Sequence, residues 1–181
     1  ALALVVSVGA LALGTWVAWV GAMREYRGRH LAVIGSLLPL AVPSYVLATV
    51  TREVLAPQGA IGGLLGLQGA ATGFWPAAFV LTLACAPYVQ LMVAATLARV
   101  PSAEIEAARS LGASPWRAFQ AVFLPRLRPA WAISALIVIL YVVAAFGAVA
   151  ILDCEVLTWE LYKASGSRDA VVLAFATMAC V

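Results

Sequence analysis

The sequence predicts an all-α protein, a polytopic bundle of membrane-spanning helices, and three observations predict it. Of its 181 residues, 65% are hydrophobic and only 10% are charged, whereas soluble domains carry about a quarter charged residues. The apolar residues fall into long runs, with a mean hydropathy of +1.03 for the chain, and a helix needs about 20 such residues to cross a bilayer. Those runs hold no Asp, Glu, Lys, Arg or His. In lipid a helix is the one local structure that satisfies its own backbone polar groups.

The first run covers about 1–22. It lacks a basic leader and no cleavage site precedes Arg24, so a span is expected there rather than a signal peptide. The chain opens at Ala1 inside this run and closes at Val181 inside another, as a piece of a longer protein would. The second run, about 31–51, carries Pro39 and Pro43, and the third, about 74–98, carries Pro87. Each proline removes a helical hydrogen bond and bends its helix, and bent helices can shape a central passage. Between these runs, residues 53–73 contain Gly59, Gly62, Gly63, Gly66, Gly69 and Gly73, with Leu64, Leu65 and Leu67 among them. A short turn or helix lying on the surface is expected there. The fourth run is about 129–152, and a fifth, 170–181, stops short of a spanning length.

Eight of the eleven basic residues lie in two loops: Arg24, Arg27 and Arg29 in the first, Arg99, Arg109, Arg117, Arg126 and Arg128 in the other. Two spans separate these loops, so they share a face, and Lys/Arg bias marks that face as cytoplasmic. Loops 23–30 and 99–128 are therefore expected on the cytoplasmic side of the membrane. The net charge of +3 is a topology signal. No basic cluster interleaved with aromatics suggests nucleic acid. Cys85, Cys154 and Cys180 have neither metal-ligand nor redox spacing and read as small buried hydrophobes. No cofactor is expected.

Inside the spans, Tyr45, Tyr88, Gln90 and Tyr141 are the largest polar side chains. Pro43, Tyr45, Tyr88 and Gln90 are candidates to line a passage, although an interior polar side chain more often satisfies a neighbouring helix than a solute. Ion-driven carriers place ionisable groups near the membrane midplane, and these spans have none. An intramembrane enzyme finds no support either. His30 stands alone, Ser165-Gly166-Ser167 has no base nearby, and Lys163 in K-A-S-G-S is no phosphate-binding loop.

The loop 99–128 carries the strongest signal. Ser102 can cap a helix behind Pro101, with Glu104 and Glu106 where the helix dipole favours negative charge. Ile105, Ala108 and Leu111 then share one helical face. Gly112 can end that helix in a left-handed conformation. Ser114 can cap the next, with Pro115 at its first position. Trp116, Phe119 and Phe123 form an aromatic stripe suited to a boundary with water, and Pro125 is expected to end the second helix before the next span. Two short helices joined at a sharp turn, lying along the membrane surface, are predicted.

Glu106-Ala107-Ala108, three residues, Gly112, nine residues, Val122, one residue, then Leu124-Pro125 resembles the EAA motif of type I ABC-transporter permeases, the membrane subunits of binding-protein-dependent importers. The stretches LPLAVPSYVLA, APYVQLMVAATLARVPSAEIEAARSLGASPWRAF and AAFGAVAIL are similar to the ferric-iron branch of that family. One departure is Ala145 before Phe146-Gly147, where that branch often has an acidic residue. The resemblance implies a helix-turn-helix loop that couples to a cytoplasmic ABC ATPase through Glu106, Ala107, Ala108, Gly112, Val122, Leu124 and Pro125. It also implies an extracytoplasmic solute-binding protein, a second permease half, fused or separate, and surrounding membrane lipid. The chain itself would be no enzyme, since ATP would be hydrolysed on the partner. Ferric iron is the implied solute, with thiamine, phosphonate, polyamine or oxyanions carried by sister proteins. A passive channel would have no use for the loop.

Overall fold

The computed structural model describes residues 1–23, 28–65, 72–101 and 119–154, with positions 103, 104, 107, 110, 112, 114 and 117; besides helical backbone at 103, 104, 107, 110 and 117, these residues form seven bounded α-helices and one π-helical turn. They are α1 (Leu2–Met23), α2 (Arg29–Ala41), α3 (Ser44–Leu55), α4 (Gly62–Leu65), α5 (Phe74–Leu97), the π turn Phe119–Phe123, α6 (Leu124–Ala144) and α7 (Phe146–Ile151). No strand occurs among the described residues, so the chain is all-α. Leu2–Ala22, Phe74–Leu97 and Ala121–Ala144 are long and apolar enough to cross a membrane, and α2 with α3 makes a fourth crossing if the pair is one broken span. The expected 170–181 segment lies outside the described residues.

The chain divides into two compact units, one built from Ala1–Leu2, Val42–Leu81 and Val142–Val181, the other from Ala3–Ala41 and Thr82–Tyr141. In the second unit, α1 lies against α5 through small residues. A side chain at Gly14 would come within 2.6 Å of the Ala86 carbonyl and of Val89, and one at Gly9 within 3.0 Å of Thr82. Without a hydrophobic drive between helices in lipid, such close backbone approach supplies the packing. Val6, Ala10 and Ala18 face inward, while Leu4, Val8 and Trp16 face out. The Trp131 indole donates to Thr15 Oγ1 at 2.9 Å, and Trp19 meets Phe123 edge-to-face at 5.3 Å, fastening α6 to α1. Ile133, Leu136 and Leu140 of α6 are exposed, an apolar face suited to lipid.

In the first unit, α3 packs on α7, where a side chain at Gly147 would sit 3.3 Å from Tyr45 Cβ. Two donors close the C-terminal end of α7. The Arg52 guanidinium donates to the Ile151 carbonyl at 2.9 Å, and the Gly73 amide donates to the Leu152 carbonyl at 2.6 Å. Gly73 has φ +96°, a conformation that suits glycine. Arg52 is thus a helix-capping cation, which gives a local reason for a positive charge away from the two basic loops. The glycine-rich loop folds back on the end of α3, with the Ile61 amide bonded to the Val54 carbonyl at 3.0 Å. A side chain at Gly59 or Gly62 would collide with the carbonyls of Glu53, Val54, Leu55 and Ala56. Glycine is needed there for close approach, and α4 is the short helix expected in this loop.

One expectation is corrected, that for Pro125, and the outlines of two runs are refined. The run 31–51 is not one helix: α2 continues through Pro39, but the chain breaks at Val42-Pro43, and Pro43 takes an extended ψ of 140° before α3. The residue before a proline is pushed out of the helical region, and Val42, being β-branched, resists helix further. The run 129–152 is likewise two helices, since α6 begins at Leu124, stops at Ala144 and gives way to α7 after Ala145. Pro125 does not end a helix but lies in the first turn of α6, directly after the π turn. Proline lacks an N–H and crowds the carbonyl four residues back, here that of Ala121, and the wider π turn relieves the crowding.

Candidate functional site

The loop between α5 and α6 is built from local signals first. After α5, the Glu104 amide bonds to the Pro101 carbonyl at 3.2 Å, and the backbone is helical at Ala103, Glu104, Ala107 and Ser110. Gly112 then takes φ +80° in a turn, the left-handed conformation that ends a helix cheaply only with glycine. Beyond it, Ser114 Oγ accepts the Arg117 amide at 3.3 Å, the contact made by an N-cap side chain with the third residue of a helix. Ala107 and Gly112 are exposed. Glu106, Ala108 and Ser102 lie outside the described residues.

The C-terminal part of the motif joins the membrane helix. Val122 sits in the π turn, half-buried; Leu124 is half-buried and Pro125 exposed at the start of α6. Phe123, read from the sequence as part of a boundary stripe, is buried against Trp19. From Phe119 onward the loop's last turn and α6 follow one another without an intervening gap.

One ion pair closes the loop at its base. The Arg126 guanidinium grips the Glu104 carboxylate with both nitrogens, Nη1 to Oε2 at 2.7 Å and Nη2 to Oε1 at 2.8 Å. The hydrogen bond from Arg126 holds the Glu104 carboxyl below its ordinary range. Sequence reasoning missed this pair. Its partners stand 22 positions apart, and only the folded turn at Gly112 could bring them together.

The candidate passage residues divide between the two units. Pro43 and Tyr45 belong to the first; Tyr88 and Gln90 belong to the second. Tyr45 and Pro43 are exposed. Tyr88 packs against Tyr141 with centroids 5.8 Å apart. Gln90, 4% exposed, donates through Nε2 to Ser36 Oγ at 2.8 Å, and Ser36 in turn donates to the Val33 carbonyl at 2.7 Å. Gln90 also borders a cavity of about 410 Å³ between α1, α2 and α5, walled otherwise by apolar groups of Val17, Ala18, Val33 and Ala94 and their neighbours. That cavity has no signature along the chain, because it arises from which small residues face each other. Among the described residues, no three His, Cys, Asp or Glu side chains cluster as a metal site would, and Cys85 and Cys154 are buried.

Comparison with known proteins gives the loop its setting. The profile of the family described as binding-protein-dependent transport system inner membrane component matches residues 10–181. The Fe(3+)-transport system permease protein FbpB 2 of Haemophilus influenzae is 28% identical over 158 residues, which cover 87% of this chain and 29% of that relative. The sulfate transport system permease protein CysW of Escherichia coli is 29% identical over 145 residues, 79% of this chain and 50% of that one. The molybdenum transport system permease protein ModB of Azotobacter vinelandii is 30% identical over 156 residues, 82% of this chain and 67% of that one. The chain thus spans between less than a third and two thirds of the length of these relatives. A polytopic helical architecture, a turn-and-cap loop at the motif and a family match over nearly the whole chain agree: the chain belongs to the integral inner-membrane components of binding-protein-dependent transport systems, the ABC-transporter permeases.

Proposed function

We propose that this chain forms part of the transmembrane permease of an ATP-driven importer, and that ferric iron is the solute. The single observation that carries the coupling half of this reading is the loop, with Gly112 at φ +80° and Ser114 capping the helix after it, inside the motif Glu106-Ala107-Ala108 to Leu124-Pro125. An exposed Ala107, with Glu106 and Ala108 as its neighbours in sequence, suits the groove of a cytoplasmic ATPase subunit. Gly112 permits the turn, and Val122, Leu124 and Pro125 join the loop to α6. Closure of the ATPase pair on ATP would then bias the spans between two arrangements, with the energy entering through differential contacts with the loop. Loops 23–30 and 99–128 face the cytoplasm in this reading. An extracytoplasmic binding protein delivers the solute, and a second permease half completes the passage, to which Pro43, Tyr45, Tyr88 and Gln90 contribute.

Similarity to a Fe(3+)-transport permease supports iron. A second reading, an oxyanion such as sulfate or molybdate, is supported by relatives of comparable identity. The test is radiolabelled uptake in cells carrying the full-length gene, its deletion, or Gly112→Val, with ferric iron, sulfate and molybdate assayed in parallel. The expected result is ATP-dependent ferric uptake, lost in both mutants. Loss of sulfate or molybdate uptake alone would replace iron with that anion, and no change with any of the three would overturn the assignment of solute.

A further inference from the structure

We infer that Glu104 and Arg126 form a clamp through which the docking loop drives α6 directly, so that both are positioning residues for coupling. The inference rests on the permease reading above and adds a route for the force. Glu104 stands at the start of the loop's first helix, before the Glu106-Ala107-Ala108 triplet, and Arg126 stands in the first turn of α6. Their two-pronged contact, at 2.7 and 2.8 Å, ties together the two ends of the segment that contains the turn at Gly112.

Isolated surface ion pairs contribute little to stability, but a two-pronged Arg–carboxylate contact is the geometry in which they matter. Its importance here is directional. A single hydrogen bond lets two helices pivot about it; a planar guanidinium held by both nitrogens fixes orientation as well as distance. A push on the first loop helix would otherwise reach α6 only around the turn at Gly112 and along the second loop helix. The clamp supplies a shorter path. From α6 the motion passes to α1, because Trp131 donates to Thr15 at 2.9 Å and Phe123 packs on Trp19. The segment 99–128 holds only two acidic residues, Glu104 and Glu106. The clamp therefore divides their roles, with Glu104 turned to the chain's own arginine and Glu106 left to the motif triplet in which it stands.

The experiment uses the full-length permease with its ATPase and binding protein in proteoliposomes. It follows ATP hydrolysis together with uptake of radiolabelled ferric iron, sulfate and molybdate, each presented on the binding protein. The variants are Glu104→Arg, Arg126→Glu and the double reversal. Each single reversal should lower solute moved per ATP by roughly threefold or more, with protein in the membrane and attached ATPase unchanged. The double reversal should recover most of the ratio. High salt should lower the wild-type ratio and leave the singles no worse or partly relieved, since screening weakens attraction and like-charge repulsion alike. A purely structural role would reduce membrane content or hydrolysis and leave the ratio alone, and that result overturns the clamp. So does a double reversal as poor as the worse single. Absence of ATP-driven uptake of all three solutes by wild type would instead overturn the permease-coupling reading, and this inference with it.

Discussion

Gly112 offers the cleanest test of the loop, because its cost can be worked from geometry. Its φ is +80°, and a side chain built there meets nothing within 4 Å. Replacement therefore costs backbone strain alone, with no collision to confuse the result. For alanine in the left-handed region that strain is about 1–2 kcal/mol, a factor of about 5 to 30 in the population of the turned loop. Asparagine visits the region several-fold more readily than other residues, and a β-branched residue is an outlier there. Binding-protein-stimulated uptake by the full-length protein should thus fall in the order Gly, Asn, Ala, Val. The amount of protein in the membrane should stay constant, since Gly112 is exposed and lies outside the helices long enough to span. Comparable uptake by Gly112→Val and wild type, at matched protein levels, would refute the reasoning. So would a series ordered by side-chain volume, which would point to a packed position instead.

Three further outcomes are expected. Gly14→Ala should lower thermal stability in detergent by about 1–3 kcal/mol, because its methyl would approach the Ala86 carbonyl to 2.6 Å; Gly21→Ala, facing only Val33 at 3.0 Å, should cost less, and equal losses would count against close α1–α5 packing. Arg52→Met should cost about 0.3–1 kcal/mol, the worth of a cation at a helix end, by leaving the Ile151 carbonyl without its donor; Arg52→Lys should restore part of it, read by the same melting assay. The Glu104 carboxyl is held below its ordinary range, so the ion pair contributes in full above that ordinary range and is lost as pH falls through the lowered value. A pH titration of solute moved per ATP should accordingly show wild type ahead of Glu104→Gln near neutrality and converging with it in acid, and a gap that widens in acid would reverse the sign.

Composition and charge made the helical class and the long apolar runs legible, because the absence of charge over some twenty residues has few other uses. Local chemistry made the loop legible in the same way. Gly112 and Ser114 act on their own neighbours, through a positive φ and a cap three residues away, and such signals survive in one dimension. The helix breaks were legible only where the chain carries their cause. Pro39 and Pro43 look alike in sequence, yet α2 absorbs the first and ends before the second, where β-branched Val42 adds to the restriction that proline imposes on its predecessor.

The break at Ala145 has no such mark. Ala-Phe-Gly would sit in an apolar helix without complaint, and hydropathy cannot distinguish one helix from two in sequence. What holds α7 as a separate helix comes from elsewhere in its unit: Arg52 and Gly73 satisfy the carbonyls at its end, and Gly147 lets α3 approach at Tyr45. The same reasoning explains why Arg52 looked like an exception to the charge bias and why Glu104 looked like an ordinary acid early in a helix. Each charge has a partner far away in sequence, at Ile151 and at Arg126. In a chain with so few charges, a charge outside the basic loops or unexplained within them is best read as a contact still to be found, and in both cases here that contact ends a helix or ties one to its neighbour.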